Sequence, residues 1–469
     1  MTGVQTCALP ISIDRVKQAL PDFPLVVRLS ASEFVEGGYG EADIIELARR
    51  LEHAGVAALD LSGGSNESPQ LSKYCIQPPS FPRGCLGPYA KPIKDAVNIP
   101  VLVAGRVVAP EDGENLLAKG ETDFVSVGRA LYADAHWTAK ALGKVRAPIR
   151  QCIACNVCFE RLTLEKDVAC VHNPVIGTEF EALEHAEPQL FPQHKTTHPK
   201  RVLVIGAGVA GLEAARSAAA RGHRVEVWEK AAEAGGQMPL AIAAPDKLEV
   251  KSILDYRISM LGALGVAVRT STTVTLETLL DYKPEFAIVA TGAAPRDHPF
   301  DVLRLAGTVK VMHAWEALRH PASLAQAKKI TIIGGGMAGA EAADLFAHQG
   351  KQCTVIEMLG TVASGMARNN RMELVERLVA KGTELRTRVR VVKAVNTSLT
   401  LKHDDGSTRD MDVGDALLFA TGPASVRDVV PLLEAAGIHY ELAGDCYRPG
   451  DFLSCLRDGF LAGLAVDRC

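Results

Sequence analysis

Three observations place this chain among the α/β proteins, as a layer of βα repeats followed by two Rossmann-like dinucleotide-binding domains. A strand, a Gly-x-Gly-x-x-Gly turn, a helix and a second strand ending in Glu occur twice, beginning near Lys200 and Lys328. Ahead of them, four short apolar runs alternate with helical stretches. Between these two regions stand four cysteines at metal-type spacing.

With 469 residues the chain has room for about three domains. It is 47% hydrophobic and 23% charged, the balance of an ordinary globular protein. A net charge of −4 without a dense basic run argues against nucleic acid or anionic membrane as partner. No apolar stretch has the length needed to span a bilayer. Eleven cysteines, four of them in a metal-type array, read as a reducing compartment, so a cytoplasmic location is expected.

The first residues, MTGVQTCALPIS, lack the charged n-region and apolar length of a signal peptide. They resemble a translated sequencing-adapter remnant; residues 1–12 are read as an artefact, Cys7 as functionless, and the natural protein as beginning further upstream. From Leu25 the apolar runs are LVVRLS (25–30), VAALDLS (56–62), PVLVAGRV (100–107) and DFVSVGRA (123–130). Between the first two, Ile44, Ile45, Leu47, Ala48 and Leu51 share one helix face and Gly55 is the stop. PEDGENLLAKG is a second helix, opened by Pro110 and closed by Gly120. Buried parallel strands joined by helices make a βα-repeat layer, and four such units are half of an eight-stranded barrel.

Two of these strands end in Gly-Arg: Gly105-Arg106 and Gly128-Arg129. Such turns can cradle a phosphate, with backbone N–H groups exposed by glycine and charge supplied by arginine. They can equally be glycine-stopped strands with surface arginines. Residues 181–199, with three prolines and three histidines, read as a linker.

In the first repeat Gly206, Gly208 and Gly211 allow the tight turn and the close approach of a pyrophosphate to a helix N-terminus. Glu229, 23 residues after Gly206, is placed to accept from a ribose hydroxyl. In the second repeat Gly334, Gly336, Gly339 and Glu357 keep the same spacing of 23. Both units later close on Ala-Thr-Gly, at 290–292 and 420–422. Only the first copy has KAAEAGGQM, where Gly235 and Gly236 admit a ligand and Gln237 offers an amide; the second has MLGTVASGM. Asp445 and a helix from about Asp451 to Asp467 would return to complete the first domain, leaving the second as an insertion. Glu357 is followed by Met358 and Leu359 rather than a base, which favours NADH over NADPH.

Cys152, Cys155 and Cys158 sit at two-residue gaps, and Cys170 follows after eleven more residues. Three thiolates from one tight loop plus a fourth from a nearby turn is an iron–sulfur pattern. Zinc, a redox disulfide and plain buried cysteines are the alternatives, although zinc usually takes two separated pairs.

Taken together, the repeated fingerprint, GGQ, ATG, the inserted domain and the terminal GD resemble the flavoprotein reductases with two dinucleotide domains. With the cysteines and the βα layer upstream, the chain from about Leu25 onward resembles the iron–sulfur flavoenzymes of the old yellow enzyme superfamily. These include 2,4-dienoyl-CoA reductase, the enoate reductases and trimethylamine dehydrogenase. The resemblance implies FMN at Arg28, Gly105, Arg106, Gly128 and Arg129, and a 4Fe–4S cluster at Cys152, Cys155, Cys158 and Cys170. It implies FAD at Gly206, Gly208, Gly211, Glu229, Gly236, Gln237 and Asp445, and NADH at Gly334, Gly336, Gly339 and Glu357. Some members of the family place three residues between the second and third cysteine, where this chain has two.

By the family pattern the front of the chain is the C-terminal half of a (β/α)8 barrel. The domains then read as 13–148 (partial FMN barrel), 149–180 (iron–sulfur segment), 200–305 with 421–469 (FAD) and 306–420 (NAD(P)H). The family's acid residues lie mainly on strands that this chain lacks, so no catalytic acid is named. Tyr39, Tyr74, Cys75 and Cys85 lie in strand-end loops that could face a flavin, but single loop residues generally have structural roles. The implied function is an NADH-dependent reductase of a small molecule with an activated C=C bond, electrons passing from NADH through FAD, the cluster and FMN. An amine dehydrogenase running the relay outward, or a fragment with only diaphorase activity, are the alternatives. Nothing in the sequence fixes the oligomeric state.

Overall fold

The computed structural model of the chain describes residues 2–65, 69–177, 195–296 and 303–468. These form two compact units, Met1–Glu160 and Arg161–Cys469. Among the described residues no helix is long and apolar enough to cross a membrane.

The first unit is built on four parallel strands in sequence order: β1 (Val26–Ser30), β2 (Ala58–Ser62), β3 (Val101–Val103) and β4 (Phe124–Val125). Each occupies one of the four apolar runs. Their neighbours are reached by helices Glu41–His53, Gly87–Ala96 and Pro110–Ala118, because parallel strands need a crossover that can cover a face. Helix Glu41–His53 turns Ile44, Ala48 and Leu51 fully inward, and Gly55 ends it at φ +79°. Helix Pro110–Ala118 starts on proline, and the Asp112 carboxylate accepts from the Val108 and Ala109 N–H groups at 2.9 and 2.7 Å. Leu59, Leu61, Val101 and Val103 fill the core between. A helix, Thr2–Ala19, covers the first dozen residues, which the sequence left outside the fold; Ile13 on it is buried in this core.

In the second unit, a five-stranded parallel sheet has the order β20-β8-β5-β6-β7. Its strands are β5 (Arg201–Ile205), β6 (Arg224–Trp228), β7 (Ala267–Arg269), β8 (Phe286–Val289) and β20 (Tyr440–Leu442). β20 pairs with β8, and helix Phe452–Ala465 packs on the first-repeat helix Val209–Ala220, so the chain's last elements do complete the first domain. Asp451 caps that last helix by accepting from the Ser454 N–H at 2.9 Å.

The inserted domain repeats the sheet as β11-β18-β12-β13-β14: Lys310–His313, Ala416–Phe419, Lys329–Ile333, Gln352–Ile356 and Glu384–Arg386. It adds an antiparallel layer, β15 (Val389–Asn396), β16 (Ser398–His403) and β17 (Thr408–Asp412). Strand β10 (Leu303–Leu305), counted with the first domain in the sequence, pairs with β15 of this layer. The two connections between the domains, β9 (Ala293–Pro295) and β19 (Pro423–Ser425), pair antiparallel with each other. Most of the expected linker, residues 181–194, lies outside the described residues.

In the first unit the path from β4 to the cysteine loop is fixed by one buried ion pair. Asp134 and Lys140 are each 1% exposed in their side chains and meet at 2.7 Å. Asp134 also accepts from the Arg150 and His136 N–H groups at 2.9 and 3.0 Å, tying the chain just before Cys152. Asp134→Ala would strand the Lys140 charge in the interior and leave two backbone N–H groups unpaired, at a cost of about 3–5 kcal/mol in urea unfolding, whereas Lys140→Met, which leaves Asp134 both backbone donors, would cost less.

Candidate functional site

Both nucleotide turns are built by the same set of bonds. In the first, Gly206 N–H donates to the Trp228 carbonyl at 2.8 Å; in the second, Gly334 N–H donates to Ile356 at 2.9 Å. One carboxyl oxygen of Glu229 accepts from Ala207 N–H at 2.7 Å and the other from Ala231 N–H at 2.8 Å. Glu357 does the same with Gly335 and Leu359, at 2.6 and 2.7 Å. Both glutamates are buried. The acid read from spacing as a ribose acceptor therefore also clasps the turn, and each oxygen keeps a second lone pair.

The three glycines of each turn are needed for different reasons. A Cβ on Gly206 would overlap the Ala290 carbonyl, and one on Gly211 would overlap the carbonyl of Gly206. In the second copy Gly334 and Gly339 meet Ala420 and Gly334 in the same way. The middle glycines, Gly208 and Gly336, are different. Their backbones are extended, with φ −73° and −62°, and a Cβ there would meet nothing within 4 Å. Nothing in the protein forbids a side chain at these two positions; a group brought close to the helix N-terminus from outside would. The turns thus fit a dinucleotide pyrophosphate.

The copies diverge where the sequence diverges. Gly235 N–H donates to Ala207 and Ala363 N–H to Gly335, at 2.9 and 2.6 Å, so GGQ and ASG occupy equivalent places. Gly236, at φ +55°, brings its backbone against Gly208. The Gln237 amide donates to Asp445 at 2.9 Å across 208 residues, and Asp445 also accepts from Gly450 N–H at 2.9 Å. The Cys455 thiol donates to the same carboxylate at 3.2 Å; burial first, then that negative charge, pushes the thiol far up. In the second copy the place of Gln237 falls to Gly365, beside the Met337 side chain. Cys455 carried no signal in the sequence.

In the first unit the two Gly-Arg turns follow neighbouring strands, β3 and β4. Gly105 is explained by the fold itself, at φ +133° against Leu86, whereas a Cβ on Gly128 would meet nothing within 4 Å. Arg106 is buried and donates to the Pro78 carbonyl at 3.4 Å. Arg129 donates to the Gln77 carbonyl and to Asn156 Oδ1, both at 2.6 Å. Burial raises the Cys85 thiol, and the positive charges of Arg106 and Arg129 pull it back down. Arg28, on β1, is engaged by Asp60 of β2 at 2.6 Å, and Ser126 donates to the same carboxylate at 2.7 Å. Tyr74 stacks on Phe34 at 4.4 Å and meets Phe81 edge-on, a structural aromatic cluster. Burial raises the Cys75 thiol.

The cysteine loop is wound by two left-handed residues, Ala154 at φ +48° and Asn156 at φ +60°. For alanine this conformation costs about 1–2 kcal/mol; Asn156 tolerates it and is tied at both ends, accepting from Arg129 and donating to the Ile76 carbonyl at 3.1 Å. Ala154 N–H points at Cys152 Sγ, 3.4 Å away. Cys158 is buried, and Cys152, Cys155 and Cys170 are partly exposed, all four as free thiols. Among the described residues no three His, Cys, Asp or Glu side chains are already gathered as a metal site. The three thiols of the loop itself are soft donors of the kind a metal group takes once they are deprotonated.

The glycine geometry makes one substitution give two outcomes. Gly208→Ala should leave thermal stability within about 0.5 kcal/mol while weakening nucleotide retention in the first domain. Gly206→Ala, strained at φ +105° and in collision with Ala290, should lower the melting temperature itself.

Residues 200–445 match the family model described as pyridine nucleotide-disulphide oxidoreductase. The chain is 34% identical over 463 residues to an NADH oxidase of Thermoanaerobacter brockii, covering 96% of this chain and 67% of that protein. It is 31% identical over 358 residues to a cinnamate reductase of Clostridium sporogenes, covering 73% of this chain and 51% of that protein. In fold it is similar to a 2-naphthoyl-CoA reductase, with TM-score 0.86 at 24% identity over 98% of this chain and 68% of that one. The chain belongs to the flavin-dependent NADH oxidoreductases related to old yellow enzyme and trimethylamine dehydrogenase, and carries their pyridine nucleotide-disulphide oxidoreductase module.

Proposed function

We propose that the chain is the electron-delivering part of an NADH-dependent reductase acting on a small molecule with an activated C=C bond. The observation that carries this reading is the duplicated turn with its single divergence. Two turns of one build each admit a pyrophosphate, yet only the first is joined by a GGQ segment and by Asp445. Two nucleotides with different duties, FAD in the first and NADH in the second, account for that asymmetry.

In this reading Gly208 and Gly336 leave room for the pyrophosphates, and Glu229 and Glu357 accept from ribose hydroxyls with the lone pairs the turns leave over. A buried carboxylate at Glu357 disfavours a 2′-phosphate, hence NADH over NADPH. Gln237 and Asp445, bonded to each other, would hold FAD beside the first turn. Arg106 and Arg129, with Gly105 and Gly128, would hold the phosphate of FMN, and Arg28, paired with Asp60, would meet its flavin. Cys152, Cys155, Cys158 and Cys170 bind a 4Fe–4S cluster. Bound together, these groups supply hydride transfer at the flavins and single-electron transfer between them. The chain's own contribution is to hold each at its place and tune its potential.

The cinnamate reductase relative supports an activated alkene as the substrate class. The domains proposed are an FMN-binding βα layer over 13–148, an iron–sulfur segment over 149–180, FAD over 200–296 and 421–469, and NAD(P)H over 303–420, which takes in β10.

Gly336→Ala should raise the KM for NADH about tenfold or more with bound flavin unchanged, while Cys155→Ala should leave reduction of FAD by NADH intact and abolish reduction of FMN. These are read by stopped-flow absorbance under anaerobic conditions. NADH oxidation that is indifferent to enoates, enones and enoyl-thioesters alike would overturn the substrate class, and normal FMN reduction in Cys155→Ala would overturn the relay.

A further inference from the structure

The first-repeat helix carries a charged group in the interior that nucleotide binding does not use. Glu213, Arg216 and Arg257 are all 0% exposed. Glu213 accepts from Arg216 through one oxygen, at 2.6 and 3.0 Å, and meets Arg257 Nε with the other at 2.8 Å. Arg257 then donates from Nη1 to the Ile253 carbonyl of its own helix at 2.9 Å. From Nη2 it donates to the carbonyl of His172 at 3.3 Å. His172 lies two residues beyond Cys170. It is itself buried, edge-on to Tyr256 at 5.3 Å, and is followed by buried Asn173, Val175 and Ile176.

Stability alone is a weak reason for such a group. Buried ion networks can often be replaced by apolar side chains of similar volume without loss, since desolvation offsets the Coulomb attraction. At the equivalent places in the second repeat, Glu341 and Asp344 pair instead with Lys247 and Arg377. Among the described residues no cysteine segment is bonded there. What distinguishes the first copy is the cation that reaches back to the Cys170 segment.

We propose that Arg257 is a positioning residue for Cys170, with Glu213 orienting it. It fixes the backbone that presents the fourth thiolate, and it holds a desolvated positive charge beside the metal group, keeping its reduction potential up. One-electron reduction makes a thiolate-bound cluster more negative. A nearby cation in low dielectric favours the reduced form, and a nearby anion disfavours it. This rests on the reading of Cys170 as a cluster ligand.

The test uses the intact chain, reconstituted with iron and sulfide, and a potentiometric titration followed by electron paramagnetic resonance. Arg257→Gln, which leaves Glu213 paired with Arg216, should retain iron and shift the midpoint potential negative. Glu213→Gln should shift it positive, and Arg257→Lys should fall near the native value. Reduction of bound FAD by NADH should be unchanged in all three. Shifts of the same sign in Arg257→Gln and Glu213→Gln, or no shift in either, would overturn the proposal. Should Arg257→Gln not fold, a negative or absent shift in Glu213→Gln would overturn it alone. A native chain that takes up no iron overturns instead the reading of the cysteines on which the proposal stands.

Discussion

Each nucleotide turn depends on one buried carboxylate. Glu229 and Glu357 leave their strands and accept from two backbone N–H groups each, one of them in the glycine turn. Hydrogen bonds to a charged acceptor are worth about 1.5–3 kcal/mol apiece. That is enough to hold a loop whose glycines would otherwise leave it conformationally loose. The clasp presents the turn's remaining amides and the open face of the middle glycine in a fixed arrangement, so a dinucleotide meets a site that is already formed. The same carboxylate keeps a lone pair on each oxygen, which the proposed function gives to a ribose hydroxyl.

Because the rule is used twice, the departures from it carry the functional meaning. The Gln237–Asp445 bond spans the inserted domain and makes the first nucleotide domain close only when the end of the chain returns. β9 and β19, paired at the crossing points, keep the two connections side by side. In the first repeat the helix after the turn buries Glu213 and Arg216, and in the second Glu341 and Asp344 pair with bases outside the helix. One scaffold thus carries two turns of one build and, behind the first, a buried charged group.

Much of this was legible from local pattern. The glycine turns, the acid spacing, the four front strands and the return of the final helix all follow from periodicity and punctuation within short windows. The cysteine motif was equally plain. What escaped was long-range pairing between polar groups. Arg257 and the His172 carbonyl are separated by 85 residues, and Gln237 and Asp445 by 208. Neither local propensity nor spacing encodes such a contact. Strand β10 was counted with the first domain because three residues next to a boundary carry no periodic signal, and its allegiance is set by β15 ninety residues later. The helix Thr2–Ala19 shows the same limit, since the burial of Ile13 on it depends on a core assembled by later strands. Asn156 was visible inside the cysteine run and could have been read as a left-handed turn residue.

The central claim is that two turns of one construction hold two different nucleotides. Hydrogen–deuterium exchange on the flavin-loaded chain, with and without NADH under anaerobic conditions, tests it directly. The account predicts new protection at residues 334–339 and near Glu357, with residues 206–211 already protected and unchanged by NADH. Protection appearing at 206–211 instead, or at both turns equally, would contradict it.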